Sequence, residues 1–150
     1  MNRLVHLIAA LTMVVAAAAP ASAQTPPPAG HVKNVSGSVT IVRGRVATPA
    51  KAGDAVYAND TLRTAADGAV GITLRDDTRV SLGPDSELNI DHYVYAPGEG
   101  GLGMVLKFVR GVAVYVSGRI AKLAPDSIRL ETPSAIVGVR GTTVAIRVGA

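Results

Sequence analysis

Residues 71–94 read GITLRDDTRVSLGPDSELNIDHYV. Cut into eights, the stretch becomes GITLRDDT, RVSLGPDS and ELNIDHYV. Aliphatic residues fall at the second and fourth places of each octad: Ile72 and Leu74, Val80 and Leu82, Leu88 and Ile90. Side chains that alternate with period two lie on one face of a strand and nowhere near one face of a helix. The first two octads end in Asp77-Thr78 and Asp85-Ser86, residues that bond their own backbone in turns. The segment therefore predicts short strands, each half buried, separated by tight corners.

The same period extends in both directions. Val39 and Ile41 alternate upstream, as do Val70 and Ile72. Downstream come Val112, Val114 and Val116, then Ile128 and Leu130, Val137 and Val139, and finally Val144, Ile146 and Val148. Glycines at 37, 68, 111, 118 and 141 stand at strand margins, where a corner or positive φ is expected. Asp67-Gly68 marks a turn. Val35-Ser36-Gly37 recurs as Val116-Ser117-Gly118, and Pro84-Asp85-Ser86 as Pro125-Asp126-Ser127. An all-β chain follows. Near-constant spacing favours a β-solenoid-like roll of stacked short strands. An antiparallel β-sandwich remains the alternative, because eight residues also fit one strand plus a turn. The PGEGGLG run at 97–103 is the longest break and divides the domain into two blocks.

Composition bounds the rest. The chain has 150 residues, 48% hydrophobic but only 3% aromatic, so its core is aliphatic. Cysteine is absent, which excludes disulfides, thiolate metal sites and a lipid-anchoring cysteine. Residues 1–23 read as a secretory signal peptide: Arg3 is the basic start, 4–19 the apolar run, and Ala21-Ser22-Ala23 the small-x-small site, with cleavage between Ala23 and Gln24. The run is shorter than the roughly 20 residues that span a bilayer. No membrane span is expected after cleavage, and the periplasm is the expected compartment. Residues 24–31, starting QTPPPAG, read as a Pro-rich tether, and 32–150 as one β domain. Residues 101–150 hold seven basic residues against two acidic ones. A basic half of this kind suits an anionic glycan or lipopolysaccharide. Nucleic acid is not an expected partner, because no aromatic residues interleave with the basic ones.

Specific segments resemble a known family. Gly53-Asp54 with Asp60-Thr61-Leu62 and Thr64 matches GD-x(5)-D-T-L-x-T. Thr132 to Thr142 matches T-P-x-A-x-x-G-V-R-G-T, ending in Arg140-Gly141-Thr142. With VSGSV at 35–39 and RGVAVYVSGRIAKL at 110–123, residues 32–148 resemble the FecR domain. The resemblance implies a periplasmic, solenoid-like module. In iron-signalling members it is joined to a membrane helix and a cytoplasmic segment that controls a sigma factor. Here a cleaved signal is expected in their place, so only a periplasmic binding or scaffold role through an envelope protein partner carries over.

Catalytic parts are not assembled by the sequence. His31 and His92 are the only histidines after the signal, and pairing Ser86 or Ser117 with His92 is a poor triad. Asp76, Asp77, Asp85, Glu87 and Asp91 cluster, and stacking could turn Asp77 and Asp85 into a calcium site or a glycosidase pair. Turn chemistry explains them better. Gly98, Gly100 and Gly103 fit G-x-G-x-x-G but continue into a strand, not a helix. No enzyme activity, metal or cofactor is expected. Arg140 could hold a carboxylate by its forked donors or serve the corner structurally, and the structural role is favoured. The terminal strand with Val144, Ile146 and Val148 is the candidate partner edge. Oligomeric state does not follow from the residues.

Overall fold

The computed structural model describes residues 20–149; positions 1–19, which hold the apolar run of the expected signal peptide, lie outside the described residues. Among the described residues no helix is long and apolar enough to cross a membrane. The strands are β1 (Gly30–Ser36), β2 (Val39–Arg43), β3 (Val46–Pro49), β4 (Ala55–Val56), β5 (Thr61–Thr64), β6 (Ala69–Leu74), β7 (Arg79–Leu82), β8 (Glu87–Ala96), β9 (Gly101–Val116), β10 (Ile128–Glu131), β11 (Ile136–Gly138) and β12 (Thr143–Val148). A short helix, α1 (Arg119–Leu123), and a 3-10 turn at Pro125–Ser127 link β9 to β10.

All-β is what the chain forms, but the stacked rungs are not. The strands make one sheet curled into a half-barrel, antiparallel except where β10 runs parallel to β9. Neither the solenoid nor a two-sheet sandwich describes it. The octads explain the misreading. The first two fold back on each other, pairing Val70 with Leu82 and Ile72 with Val80. The second and third do not stack at all. They run end to end along β9, with Arg79–Leu82 opposite Val116–Ala113 and Glu87–Ala96 opposite Arg110–Gly101. Equal spacing arose from strand plus turn, a geometry that period alone does not separate from a rung.

β9 is thus common to two halves of the sheet. Its first part carries β8, β5, β2 and β3 on one side and β10 with β11 on the other. Its second part carries β7, β6, β1 and β4 on one side and β12 on the other. The division falls at Gly111, and not at 97–103, where Pro97–Gly100 turn β8 into β9 and Gly101–Gly103 already belong to β9. Gly111 has φ 88°, and a Cβ there would run into Ser86. Opposite it, the Ser86 hydroxyl accepts from the Val112 N–H at 2.9 Å and donates to the Val112 carbonyl at 3.0 Å. Thr64 braces the same corner, donating to the Gly83 carbonyl at 2.6 Å and accepting from the Ser86 N–H at 2.8 Å. Side-chain hydroxyls thereby replace ladder bonds where β7 ends and β8 begins.

Side chains from both halves line one interior. In one half the rows are Ile41–Leu62–Leu88–Phe108 and Ile90–Leu106–Leu130–Val137. In the other they are Val32–Ile72–Val80–Tyr115–Val144 and Val35–Val70–Leu82–Ala113–Ile146. Leu62, Leu88, Ile90, Leu106 and Tyr115 are fully buried. Each such aliphatic contributes about 1.5–3 kcal/mol by leaving water. The ordered domain begins slightly before position 32. Ala29 is buried, its N–H bonds to Val56 and its carbonyl to Arg75, and His31 sits in β1 rather than in the tether.

Leu88→Ala should lower unfolding free energy by about 2–5 kcal/mol. Ser86→Ala, which removes a hydroxyl bonded to both backbone groups of Val112, should cost about 2–3 kcal/mol. Urea midpoints measure both, and a Ser86→Ala loss below about 0.5 kcal/mol would show that the corner holds without its hydroxyl.

Candidate functional site: an open strand edge

The residues of the first motif turn inward to the fold. Asp54 caps a turn, its carboxylate accepting from the Lys51 N–H at 2.8 Å. The Asp60 side chain is 1% exposed and accepts two bonds from Arg43, at 2.8 Å from Nε and 2.7 Å from Nη2, plus the Tyr57 N–H at 2.8 Å. Arg43 also donates to the Ala55 carbonyl and lies 4.4 Å above the centre of the Tyr57 ring. This forked pair closes the seam between β2 and β4 where the half-barrel's ends approach. Thr61 accepts from Asn89, and Leu62 is buried. Gly53 has φ 93°.

The carboxylate cluster separates in the same way. Asp76 is fully buried. Its carboxylate accepts from the Thr78 hydroxyl at 2.7 Å, the Tyr93 hydroxyl at 3.0 Å and the Ile120 N–H at 3.2 Å. It ties the β6–β7 turn, β8 and α1 together. Asp77 and Asp85 occupy left-handed turn positions, φ 67° and 51°, on different corners. Asp77 pairs with Arg119, Asp91 with Lys107, and Glu87 with Arg63 and Arg110. Among the described residues no group of three His, Asp or Glu is placed to hold a metal ion. Ser86 is committed to Val112, and the Ser117 hydroxyl donates to the Thr142 carbonyl at 2.9 Å. Gly98 and Gly100 lie in the β8–β9 turn and Gly103 inside β9, so no phosphate loop forms.

The second motif behaves differently at its end. Thr132 closes its own turn with Ala135, Val139 is buried, and Thr142 is held by Ser117. Gly141 has φ 50° and makes the corner into β12. Arg140 is exposed and makes no ion pair or side-chain hydrogen bond among the described residues. Its guanidinium lines a groove of about 430 Å³ together with Arg129, beside β10 and β11.

β12 is the strand whose edge stays open. It pairs with β9 alone, Thr143–Val148 opposite Val116–Gly111. Val112 turns both backbone groups toward Ser86, so ladder alternation turns those of Ala113 and Tyr115 toward β12, where they meet Ile146 and Val144. The backbone groups of Thr143, Ala145 and Arg147 therefore point away from the sheet. Val144, Ile146 and Val148 face the interior yet remain half exposed, because the aliphatic rows end there with nothing beyond. The other outer strands are blunted by shortness: β3 has four residues and ends in Pro49, β4 has two and β11 three. β12 has six and no proline. Across the outer face beside it runs a groove of about 420 Å³, lined by Ser81, Gly83, Val112, Val114, Ala145 and Arg147 among others.

The fold is thus a curled, nearly antiparallel β module in which Asp60, Thr64, Asp76 and Ser86 are buried and hydrogen-bonded, and β12 is paired on one side only. The family model of the FecR protein matches residues 60–150, and the chain belongs to the FecR family. β1–β4 precede the matched region but share its core. No curated protein and no solved structure matches the chain.

Burial first, and then the Asp76 charge, push the Tyr93 hydroxyl well above the ordinary value of 10.0. The folded state therefore holds the phenol proton more tightly than the unfolded chain. Stability from this source is present below about pH 10 and falls as pH rises through the folded value. Urea midpoints at about pH 8 and about pH 11 should show this loss, and Tyr93→Phe should shrink the difference while lowering stability at the lower pH. An equal difference in the variant would assign the alkaline loss elsewhere.

Proposed function

We propose that the processed chain works in the periplasm as a non-catalytic binding or scaffold module of a FecR-type signalling system, engaging an envelope protein along β12. The open edge carries this reading: a six-residue strand with outward backbone groups and half-covered aliphatics is a template for strand addition. Family membership supports a signalling- or sensor-related module and a non-catalytic one. The serine hydroxyls at 86 and 117 already hold backbone, which supports binding over catalysis. Ala21, Ser22, Ala23 and Gln24 are exposed and outside any strand or helix, as a signal peptidase substrate must be.

A second reading has its own observation. Arg129 and Arg140 share one groove with a single carboxylate, Asp126, with which neither forms an ion pair, an arrangement that suits an anionic glycan or lipopolysaccharide.

A photo-crosslinking residue at position 145 should trap a discrete envelope partner in intact cells. With the crosslinking residue moved to position 143 on the same outer face in place of 145, Ala145→Pro should abolish the adduct without unfolding the protein, because the N–H it removes points out of the sheet. N-terminal sequencing of the mature protein should start at Gln24. Adducts that survive the proline, or an unprocessed cytosolic protein, would overturn the reading. Binding to an acidic polysaccharide that falls with Arg129→Ala and Arg140→Ala would favour the glycan.

A further inference from the structure

The β12 edge has chemistry on both of its faces, and together they describe an occupant. On the inner face, Val144, Ile146 and Val148 end the aliphatic rows half covered. A strand laid alongside continues those rows only if every second residue is aliphatic, since residues directly opposite share a face. On the outer face the same strand passes Thr143, Ala145 and Arg147. Arg147 is exposed and lines the groove over Val112 and Val114, Val114 being 41% exposed. Arg79, at the far end of the same face, and Lys122 and Arg140, near the start of β12, are exposed as well. None of the four cations has a carboxylate partner among the described residues. Lys107 and Arg110 of β9 and Arg119 of α1, by contrast, are answered, by Asp91, Glu87 and Asp77. Cations without ion pairs occur elsewhere too, among them Lys33, Arg45 and Arg129, but beside β12 they flank an edge whose backbone is also unanswered.

We infer that β12 receives an extended acidic segment of a partner protein, in which carboxylates alternate with aliphatic residues. The aliphatics cover Val144, Ile146 and Val148. The carboxylates meet Arg147 and its neighbouring cations, and backbone bonds to Thr143, Ala145 and Arg147 supply the register. A second copy of the chain is the weaker occupant. It would bring another basic β12 against the first, like charge against like. This inference rests on the reading of β12 as the docking edge and adds the chemistry of what docks.

The probe is a fluorescent peptide of about seven residues alternating Glu and Val, compared with one alternating Lys and Val. Both are titrated with the mature protein and followed by anisotropy. The Glu peptide should bind at least about tenfold more tightly than the Lys peptide, and more weakly as salt rises from about 0.05 M to about 0.5 M. Arg147→Glu should reverse the preference, and Ala145→Pro should abolish binding of both. Thermal unfolding of each variant confirms the fold. If Ala145→Pro abolishes binding while Arg147→Glu and the peptide's charge make no difference, the edge stands and the acidic occupant falls. If Arg147→Glu abolishes binding but the proline does not, the edge reading itself falls. A concentration-dependent dimer in sedimentation, dissolved by Ala145→Pro, would assign the edge to a second copy and overturn the inference.

Discussion

The architecture depends on one hydroxyl. Where β9 passes from one half of the sheet to the other, its neighbour breaks off as β7 and resumes as β8, and the Val112 N–H would lose its ladder partner. The Ser86 oxygen accepts from that N–H and also donates to the Val112 carbonyl, which the Gly83 N–H reaches as well at 3.0 Å. Gly111 makes this approach sterically feasible, and Thr64 holds the loop that carries Ser86. A buried corner without such partners would leave backbone groups unsatisfied at about 1–3 kcal/mol each. With them, a continuous 16-residue strand can serve two sets of neighbours and bend the sheet around one aliphatic interior.

The buried carboxylates extend the same logic to the ends of the half-barrel. Asp76 gathers a turn, a strand and the start of α1, while Asp60 holds Arg43 in place to reach the Ala55 carbonyl across the seam between β2 and β4. Both are costly to bury and stay buried because every approach is hydrogen-bonded. This explains why a sequence dense in aspartate offers no catalytic pair. Of the acids that looked like a site, Asp76, Asp77, Glu87 and Asp91 are occupied by hydroxyl, backbone, guanidinium or ammonium partners, and Asp85 serves a turn at φ 51°. The part of the molecule that its own polar groups do not complete is the outer edge of β12, with Arg147 on it. The binding proposed there would draw affinity from backbone templating and selectivity from side-chain alternation and charge.

Much of this was legible from residues alone, and the boundary is physical. Alternation of aliphatic residues determined that the chain is β and which side chains face inward, because period two is a local property of the backbone. Leu62, Leu88, Ile90 and Leu106 are buried as their positions require. Glycine at 111 and 141 marked corners, since only local φ is at stake there. The motif residues Gly53, Asp54, Asp60, Thr61, Leu62 and Thr64 were legible as a family signature, though their use in capping and seam closure was not. The clean alternation of Val144, Ile146 and Val148 at the terminal strand singled it out before any pairing was known.

Pairing is what the tertiary structure alone decided. Equal octads are consistent with rungs, hairpins or strands laid end to end, and only long-range contacts select among them. The curled sheet, the shared β9 and the corner at Gly111 are outcomes of that selection. So is the fate of each polar side chain: Asp76 and Asp60 enclosed, Arg140 and Arg147 left free. Spacing records what neighbours along the chain can do. Whether an edge stays open or a charge stays unanswered depends on which distant residue arrives beside it, and that is a property of the fold.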